Sequence, residues 1–250
     1  RTAGTWGNSI GVQICSTATG YEQVVDTSNQ LVNGAGTAGA NSITVDNADE
    51  TGHAFQVGDM ISFFSDTSAT VPVDEFNEYE VTAINTTTNV FTIRLKDDPN
   101  AIADNSYIRR KWKYHDLFAN TVGQSQWSKE NGRGIGDEMH IVVYDTTGDI
   151  TGYDADVAGQ RTSSVLEVYA NVSKSSVARD SQGNSNYYAD VIFRESNYIY
   201  WTDHISAGSN WGTDTTSTYT VVHPITIDSL TGGTDDHAVT AGELELASDK

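Results

Sequence analysis

The sequence predicts an α/β (α+β) core with a mixed sheet and flanking helices, into which a small all-β, barrel-like domain is inserted. Two observations carry this prediction. Between residues 42 and 95, short runs of β-branched and aromatic residues alternate with polar turns, which is the pattern of successive strands. From about residue 136 onward, strand-type and helix-type segments follow one another, which favours helices packed on a sheet.

The inserted domain is predicted to span residues 20–105. Residues 20–40 are rich in Gly, Ala, Ser and Thr, and residues 97–100 form a turn cluster, so both are expected as linkers. Between them we predict strands at 42–46, 55–65, 78–85 and 89–95, with 85–89 as the link of a hairpin. Four short strands favour a closed or nearly closed module, because closure protects strand edges from pairing with other chains.

The core domain is predicted to be discontinuous, with residues 1–19 and 106–250 on either side of the insertion. Its strands are expected at 7–15 and at 139–145, the second of which has the continuous apolar sequence of a buried strand. Ser164-Val-Leu-Glu167 matches a capping box, which predicts a helix start. The helix face that follows would consist of Val165, Val168, Tyr169 and Val172. A short helical turn at 187–193 and an aromatic strand at 198–201 complete the predicted core.

A second capping box, Thr240-Ala-Gly-Glu243, predicts another helix. Only residues 244–250 follow it, which is short for a stable helix. The first residues contain neither an initiating Met nor the apolar core of a signal peptide. We therefore expect the chain to be an internal fragment of a longer protein.

The chain is strongly acidic, since 34 Asp and Glu against 14 Lys and Arg give a formal net charge of −20. Such a charge repels the phosphates of a nucleic acid, so no nucleic-acid partner is expected. No apolar run approaches the ~18 residues that are typical of a membrane-spanning helix, so no membrane span is expected. The single cysteine, Cys15, excludes an intramolecular disulfide.

The one concentration of basic residues is Arg109, Arg110, Lys111 and Lys113, which surround Trp112. In a half-buried strand, Arg109, Lys111 and Lys113 would share one face, while Arg110 and Trp112 would share the other. Solvation alone explains such a cationic face. A sharper hypothesis is that it meets an acidic face of a neighbouring copy, so we name these four basic residues as candidate subunit-interface residues.

Several motif matches lack the context that their chemistry requires. Gly7-Asn-Ser-Ile-Gly11 matches a nucleophile elbow, but strand-like residues follow where a helix should begin. Residues 34–39 match a dinucleotide fingerprint, yet they lead into a strand-type segment. The acidic clusters lack the spacing of a calcium loop, and the six histidines lack metal-ligand spacing. Paired carboxylates of a glycoside hydrolase are a further alternative. We expect no catalytic, cofactor or metal site and no enzyme activity.

Several short segments form an ordered set along the chain. They lie at 4–10 (GTWGNSI), 113–118 (KYHDLF), 136–143 (GDEMHIVV), 149–152, 165–167, 171–174 (NVSK), 186–188 (NYY) and 230–236 (LTGGTDD). As a set they resemble the contractile-tail sheath proteins of large myophages. The motif residues that the resemblance singles out as structural are Trp6, Gly7, Asn8, Asp137, Glu138, His140, Gly232, Gly233 and Asp235. At the last of these segments, Asp236 and His237 stand where the family often has a small residue. The resemblance does not cover residues 20–105.

The resemblance implies a structural protein that uses neither a nucleotide nor a cofactor. Sheath subunits stack helically around a tail tube, and the array contracts to drive the tube through the host envelope during genome ejection. The implied partners are further copies of the chain, the tail tube protein, and the baseplate and tail terminator proteins. The implied location is the virion tail, assembled in the host cytoplasm. The inserted domain would face outward, and the fragment would lack the terminal arms that link neighbouring subunits.

A rival from another class is an acidic, β-rich module that binds a receptor or a glycan at a virion or extracellular surface. Its candidate aromatic platforms are Trp112, Trp127 and Trp211. A hydrolase that uses Ser9 is the third alternative.

Overall fold

The computed structural model describes residues 5–25, 31–37, 39–48, 55–65, 78–94, 101–152, 154, 164–222, 225–227 and 230–232. Within these ranges the chain is mostly β, with two antiparallel sheets and a few short helices. The strands are β1 (Ile10–Cys15), β2 (Glu22–Val25), β3 (Ser42–Thr44), β4 (Met60–Phe64), β5 (Tyr79–Asn85), β6 (Val90–Arg94), β7 (Tyr107–Lys111), β8 (Glu138–Asp145), β9 (Val165–Ser173) and β10 (Ile225–Ile227). The helices are α1 (Ala18–Tyr21), α2 (Gln126–Glu130) and α3 (Tyr188–Glu195), with 3₁₀ helices at Thr5–Ser9 and His115–Leu117.

The first sheet has the strand order β10–β1–β8–β9, in which β10 is a three-residue edge strand. The strands predicted at 7–15 and 139–145 are confirmed as β1 and β8. Every strand pairing in this sheet is antiparallel, so the predicted mixed sheet is wrong. No described helix is long and apolar enough to span a bilayer. The helix predicted after Thr240 lies outside the described residues.

Strand β8 is buried on both faces, which explains its continuous apolar sequence. Met139, Ile141 and Val143 belong to the core that α3 covers, whereas Val142 and Tyr144 belong to the core on the opposite face. Burial of an aliphatic side chain of this size contributes on the order of 1.5–3 kcal/mol. The central position of β8 therefore follows from its composition.

Residues 165–173 form strand β9, so the helix predicted from the capping box is wrong. In β9, Tyr169 lies opposite Ile141 and Val172 lies opposite Met139. The register shifts between these two pairs, because a bulge inserts one extra residue into β9. Tyr169 and Val172 consequently face the same core although they are three residues apart, which imitates helical spacing.

Helix α3 confirms the predicted helical turn at 187–193 and packs on the sheet. Its buried side chains are Tyr188, Ala189, Val191 and Ile192. The aromatic strand predicted at 198–201 is wrong. Ser196 Oγ accepts hydrogen bonds from the amides of Tyr198 at 3.1 Å and Ile199 at 2.9 Å. A side chain thus satisfies backbone groups that a neighbouring strand would otherwise pair.

The second sheet has six strands in the order β2–β7–β4–β5–β6–β3. Within the described ranges the order is linear, with β2 and β3 at the edges, so the prediction of a barrel is wrong. The four predicted strands are confirmed as β3, β4, β5 and β6, and the predicted hairpin joins β5 to β6. In the turn of this hairpin, Asn85 Oδ1 accepts hydrogen bonds from the amides of Thr87 and Thr88, and Asn89 has a left-handed backbone with φ 55°. Strand β7 also belongs to this sheet, although it follows the predicted boundary at residue 105.

The two sheets meet at an aromatic cluster formed by Cys15, Tyr21, Trp112, Tyr114, Phe118, Val142 and Tyr144. The ring of Trp112 stacks on Phe118 with 5.6 Å between centroids, and its Nε1 donates to Oε1 of Gln13 in β1 at 2.9 Å. This hydrogen bond is buried, so loss of either partner would leave an unsatisfied polar atom. Trp112 therefore connects the end of β7 to β1.

Gly11 in β1 has no room for a side chain. A Cβ there would lie 2.5 Å from Cζ of Tyr144 and 2.8 Å from Cγ2 of Thr146. We expect Gly11→Ala to lower the free energy of unfolding by about 1–3 kcal/mol, because the Tyr144 ring or the strand must move. Urea unfolding measures the change. Gly7→Ala is the control, since a Cβ at Gly7 meets nothing within 4 Å; equal losses in the two variants would contradict this packing.

Candidate functional site

A buried polar network lies where β8 begins, and Asp137 is its principal acceptor. The Asp137 side chain is buried, and its Oδ1 accepts the Ser125 amide at 2.8 Å. Its Oδ2 accepts the hydroxyls of Ser125 and Ser173, each at 2.7 Å. Ser125 also caps α2, since its Oγ accepts the Ser128 amide at 3.1 Å. The carboxylate therefore joins α2 to the ends of β8 and β9, and three donors compensate for its removal from water.

Lys174 is the cation of the same network and is 1% exposed. Its ammonium donates to the carbonyl oxygens of Ser16 at 2.8 Å and Gly136 at 2.5 Å. The same group lies 5.4 Å from the ring centroid of Trp211. Burial lowers the pKa of Lys174 to about 8, and the charge of Asp137 opposes this shift. We call Ser125, Asp137, Ser173 and Lys174 the Asp137 network.

The side chain of His140 accepts a hydrogen bond from a backbone amide at the bulge in β9. Asn171 has a left-handed backbone, with φ 49°, and its amide donates to Nδ1 of His140 at 3.1 Å. The Asn171 carbonyl accepts Nδ2 of Asn186 at 3.0 Å. Since Nδ1 accepts, the proton of neutral His140 is on Nε2, which donates to the Asn120 carbonyl at 2.8 Å. Burial lowers the pKa of His140, so the neutral form is the one the fold requires.

These contacts bring together segments that are far apart in the sequence. The segments at 136–143, 171–174 and 186–188 all contribute to them, and the Ser173 amide donates to the Asn186 carbonyl at 2.8 Å. The ordered set that the sequence analysis identified therefore contains a group of residues that depend on one another in three dimensions.

Of the four residues in the Asp137 network, the sequence analysis named only Asp137 as a site residue and missed Ser125, Ser173 and Lys174. Ser125 immediately precedes α2, and the preference of Ser for the position before a helix was the available signal. Lys174 lies within the segment at 171–174, but its burial has no local signal, because lysine is almost always exposed unless its charge is compensated.

The first motif segment lies in the 3₁₀ helix that precedes β1. Trp6, Gly7 and Asn8 all belong to this helix. The ring of Trp6 lies edge-on to that of Tyr198, with 6.3 Å between centroids, and packs on the core that α3 covers. Trp6 therefore attaches the start of β1 to the loop after α3.

The remaining motif residues lie at the start of β8 and near residue 232. Glu138 is the first residue of β8, and its Oε2 accepts the Gly123 amide at 3.0 Å. Gly232 has φ 85°, a conformation that favours glycine. Gly233 and Asp235 lie outside the described residues.

Two of the three outward-facing residues of the predicted cationic face have acidic partners within the chain, and the third lies over an aromatic ring. On β7, Arg109 pairs with Glu22 of β2, and Lys111 pairs with Glu78. Lys113 Nζ lies 5.3 Å from the ring centroid of Tyr114. A contact between this face and a neighbouring copy stays a prediction.

Arg110 faces the interior, as the predicted alternation requires. Its Nη1 lies 3.5 Å from Oδ2 of the buried Asp59, and its Nη2 donates to the Thr19 carbonyl at 2.5 Å. Burial raises the pKa of Asp59 to about 6, although the Arg110 charge opposes the shift. Arg110 thus links the six-stranded sheet to the segment between β1 and β2, rather than presenting a charge to a partner.

The residues of the rejected catalytic and metal motifs also have structural roles. Ser9 ends a 3₁₀ helix before a strand, the reverse of the order in a nucleophile elbow, and donates to Oδ2 of Asp149 at 3.0 Å. Although burial opposes it, backbone hydrogen bonds led by those from Thr151 and Ile150 lower the pKa of Asp145. Across the described ranges, no group of three or more His, Cys, Asp and Glu is placed to hold a metal ion.

Two of the three candidate tryptophan platforms belong to the interior. Trp112 is 1% exposed and Trp211 is 3% exposed. Trp211 Nε1 donates to the Thr220 carbonyl at 3.1 Å, which fixes its orientation. Trp127 is half-buried on α2. A flat ligand cannot stack on buried rings, so the structure offers no support for a glycan platform built from these three residues.

Neither a protein-family model nor a curated protein sequence matches the chain.

We expect Asp137→Asn to lower the free energy of unfolding by about 2–4 kcal/mol, because an amide cannot accept all three hydrogen bonds and because the substitution removes a negative charge that favours the buried Lys174 ammonium. Chemical unfolding monitored by tryptophan fluorescence measures the loss. Asp214→Asn is the matched control. Its carboxylate pairs with Arg133 at 2.8 Å on the surface, so its loss should cost less than about 1 kcal/mol. Similar losses in both variants would contradict the role of Asp137.

The His140 pKa predicts how stability depends on pH. Because the folded pKa is lowered, the unfolded chain binds a proton at higher pH than the folded protein does. The free energy of unfolding should therefore fall as the pH drops below about 6.5, at up to about 1.4 kcal/mol per pH unit for this group. His140→Gln removes the titration and keeps a side-chain acceptor for Asn171. The difference in stability between wild type and His140→Gln should shrink with falling pH, and a difference that stays constant would contradict the assignment.

Proposed function

We propose that this chain is a structural subunit of the contractile tail sheath of a phage. In this function the subunits assemble helically around the tail tube and shorten the array, which drives the tube through the host envelope. The observation that carries the proposal is the ordered set of sequence segments, three of which meet around Asp137 and His140.

The Asp137 network is suited to the mechanical load that a sheath subunit would bear. A sheath subunit works as a rigid body that rotates during contraction, so its strands must keep their register under load. Register in a sheet is fixed by side-chain alternation and by bulges. Here Asn171 fixes a bulge in β9, while Asp137 and Lys174 hold the ends of β8 and β9 to α2 and to the residues after β1.

The proposal needs no chemistry from the chain. The energy of contraction would be stored in contacts between subunits and released when a baseplate triggers the array, which is a kinetically trapped state. The proposed partners are therefore other copies of the protein, the tail tube protein, and the baseplate and tail terminator proteins, and the proposed location is the virion tail. The six-stranded sheet would form the outward-facing part.

Electron microscopy of the protein as its gene encodes it, produced together with the tube and baseplate proteins of the same phage, tests the proposal. We expect striated sheaths around the tubes, because a template and a baseplate are what nucleate a helical array of this kind. The same preparation without this protein is the control and should show bare tubes. Bare tubes beside dispersed particles of the protein, with tube and baseplate both present, would overturn the proposal.

A further inference from the structure

A surface tryptophan, Trp201, is connected by hydrogen bonds to a buried tyrosine and to a histidine. Trp201 is 37% exposed, whereas Tyr188, the first residue of α3, is 5% exposed. Trp201 Nε1 donates to the hydroxyl oxygen of Tyr188 at 3.0 Å, and this oxygen lies 2.7 Å from Nδ1 of His204. We call Trp201, Tyr188 and His204 the Trp201 cluster.

The direction of each hydrogen bond in the Trp201 cluster follows from the chemistry of its groups. An indole nitrogen only donates, so the Tyr188 oxygen accepts from Trp201. The hydroxyl proton of Tyr188 is then directed to Nδ1 of His204, which accepts it in the neutral imidazole with its own proton on Nε2. Burial raises the pKa of Tyr188, so the phenol keeps this proton in the resting protein. Tyr188 therefore holds a proton within reach of a base.

The surrounding structure fixes the three rings. The rings of Trp201 and Tyr188 are nearly perpendicular, at 87°, with 6.3 Å between centroids. The centroids of Trp201 and His204 are 5.0 Å apart. His204 also lies against the backbone of Gly212, where a Cβ would be 2.2 Å from Nε2 of the imidazole. An electron can consequently pass between these rings without a large rearrangement.

Indole and phenol are the side chains of this cluster that lose one electron most readily. Trp201 is the member that a dissolved oxidant reaches, because it is the exposed one. Loss of an electron leaves a radical cation on the indole. Oxidation of Tyr188 in its place becomes favourable when the phenol proton leaves in the same step, since the product is then a neutral tyrosyl radical.

We propose that the Trp201 cluster is a redox relay, which transfers the site of one-electron oxidation from Trp201 to Tyr188. One electron passes from Tyr188 to the Trp201 radical cation, and the phenol proton passes to Nδ1 of His204. The products are intact Trp201, a neutral tyrosyl radical and an imidazolium. The oxidant is a one-electron acceptor such as the carbonate radical anion, which leaves as carbonate. The relay thereby protects the exposed indole from irreversible addition of oxygen.

Two neighbouring charges favour Tyr188 as the end of the relay. Trp211 lies 6.3 Å from Tyr188 between ring centroids, but the Lys174 ammonium is 5.4 Å from the Trp211 ring and disfavours a positive charge there. Asp203 Oδ1 accepts the amide of His204 at 2.7 Å, so a carboxylate lies beside the imidazolium that forms. The inference is independent of the sheath proposal, because it follows from distances within one chain.

Pulse radiolysis with the azide radical as the oxidant tests the relay. Tryptophan and tyrosine radicals have different absorption bands, so each is followed separately. In the wild-type protein we expect the tryptophan radical to decay as the tyrosyl radical appears, at a rate that does not depend on protein concentration. Tyr188→Phe should abolish this phase. Tyr198→Phe is the matched control and should keep it, since the Tyr198 ring also lies 6.3 Å from a tryptophan, Trp6.

His204→Gln tests the proton acceptor. A glutamine accepts a hydrogen bond from Tyr188 but does not hold its proton at neutral pH, so the phase should slow roughly a hundredfold, at the lower end of what a positioned base contributes. Near-UV circular dichroism checks that each variant keeps the native packing. As a second readout, mass spectrometry after exposure to carbonate radicals should find several-fold more oxygen added to Trp201 in Tyr188→Phe than in the wild type.

Four results would overturn the proposal. The first is a wild-type protein without the concentration-independent phase, and the second is persistence of that phase in Tyr188→Phe. The third is an unchanged rate in His204→Gln, which would remove the histidine from the reaction. The fourth is loss of the phase in Tyr198→Phe, which would assign it to the pair formed by Trp6 and Tyr198. If Tyr188→Phe does not fold, the rate in His204→Gln and the outcome for Tyr198→Phe still decide the question.

Discussion

The burial of one carboxylate and one ammonium at the start of β8 is the constraint on which the surrounding structure depends. A buried charge is strongly destabilising unless hydrogen bonds and opposite charge replace the lost water. Asp137 therefore requires Ser125 and Ser173 in place, and Lys174 requires the carbonyl groups of Ser16 and Gly136. These partners come from α2, β9 and the chain after β1, so none of those elements can shift alone.

The bulge in β9 extends this constraint along the sheet. A left-handed residue at Asn171 leaves its amide and carbonyl without strand partners of the usual kind, and side chains of His140 and Asn186 replace them. The imidazole performs this task only as the neutral tautomer with its proton on Nε2. A titratable group thereby supports the backbone of the sheet.

The basic residues of β7 are also paired with carboxylates of the same chain. In the sequence they form an isolated cationic cluster in an acidic chain, which suggests an interface. In the fold, Arg109 and Lys111 reach glutamates on neighbouring segments, and Arg110 turns inward to Asp59.

The sequence by itself determined the features whose physical cause is local. The apolar run of β8, the hairpin at 85–89, the alternation around Arg110 and helix α3 were all predicted, because propensity, turn chemistry and periodicity act between near neighbours. Only the tertiary structure decided that residues 165–173 form a strand, since one bulge in a sheet gives Tyr169 and Val172 the spacing of a helix face. It also decided that the described strands of the second sheet follow a linear order with two edges, and that Lys174 is buried. Strand order and the compensation of a buried charge depend on groups that are distant in the chain, and no local pattern encodes which of them will meet.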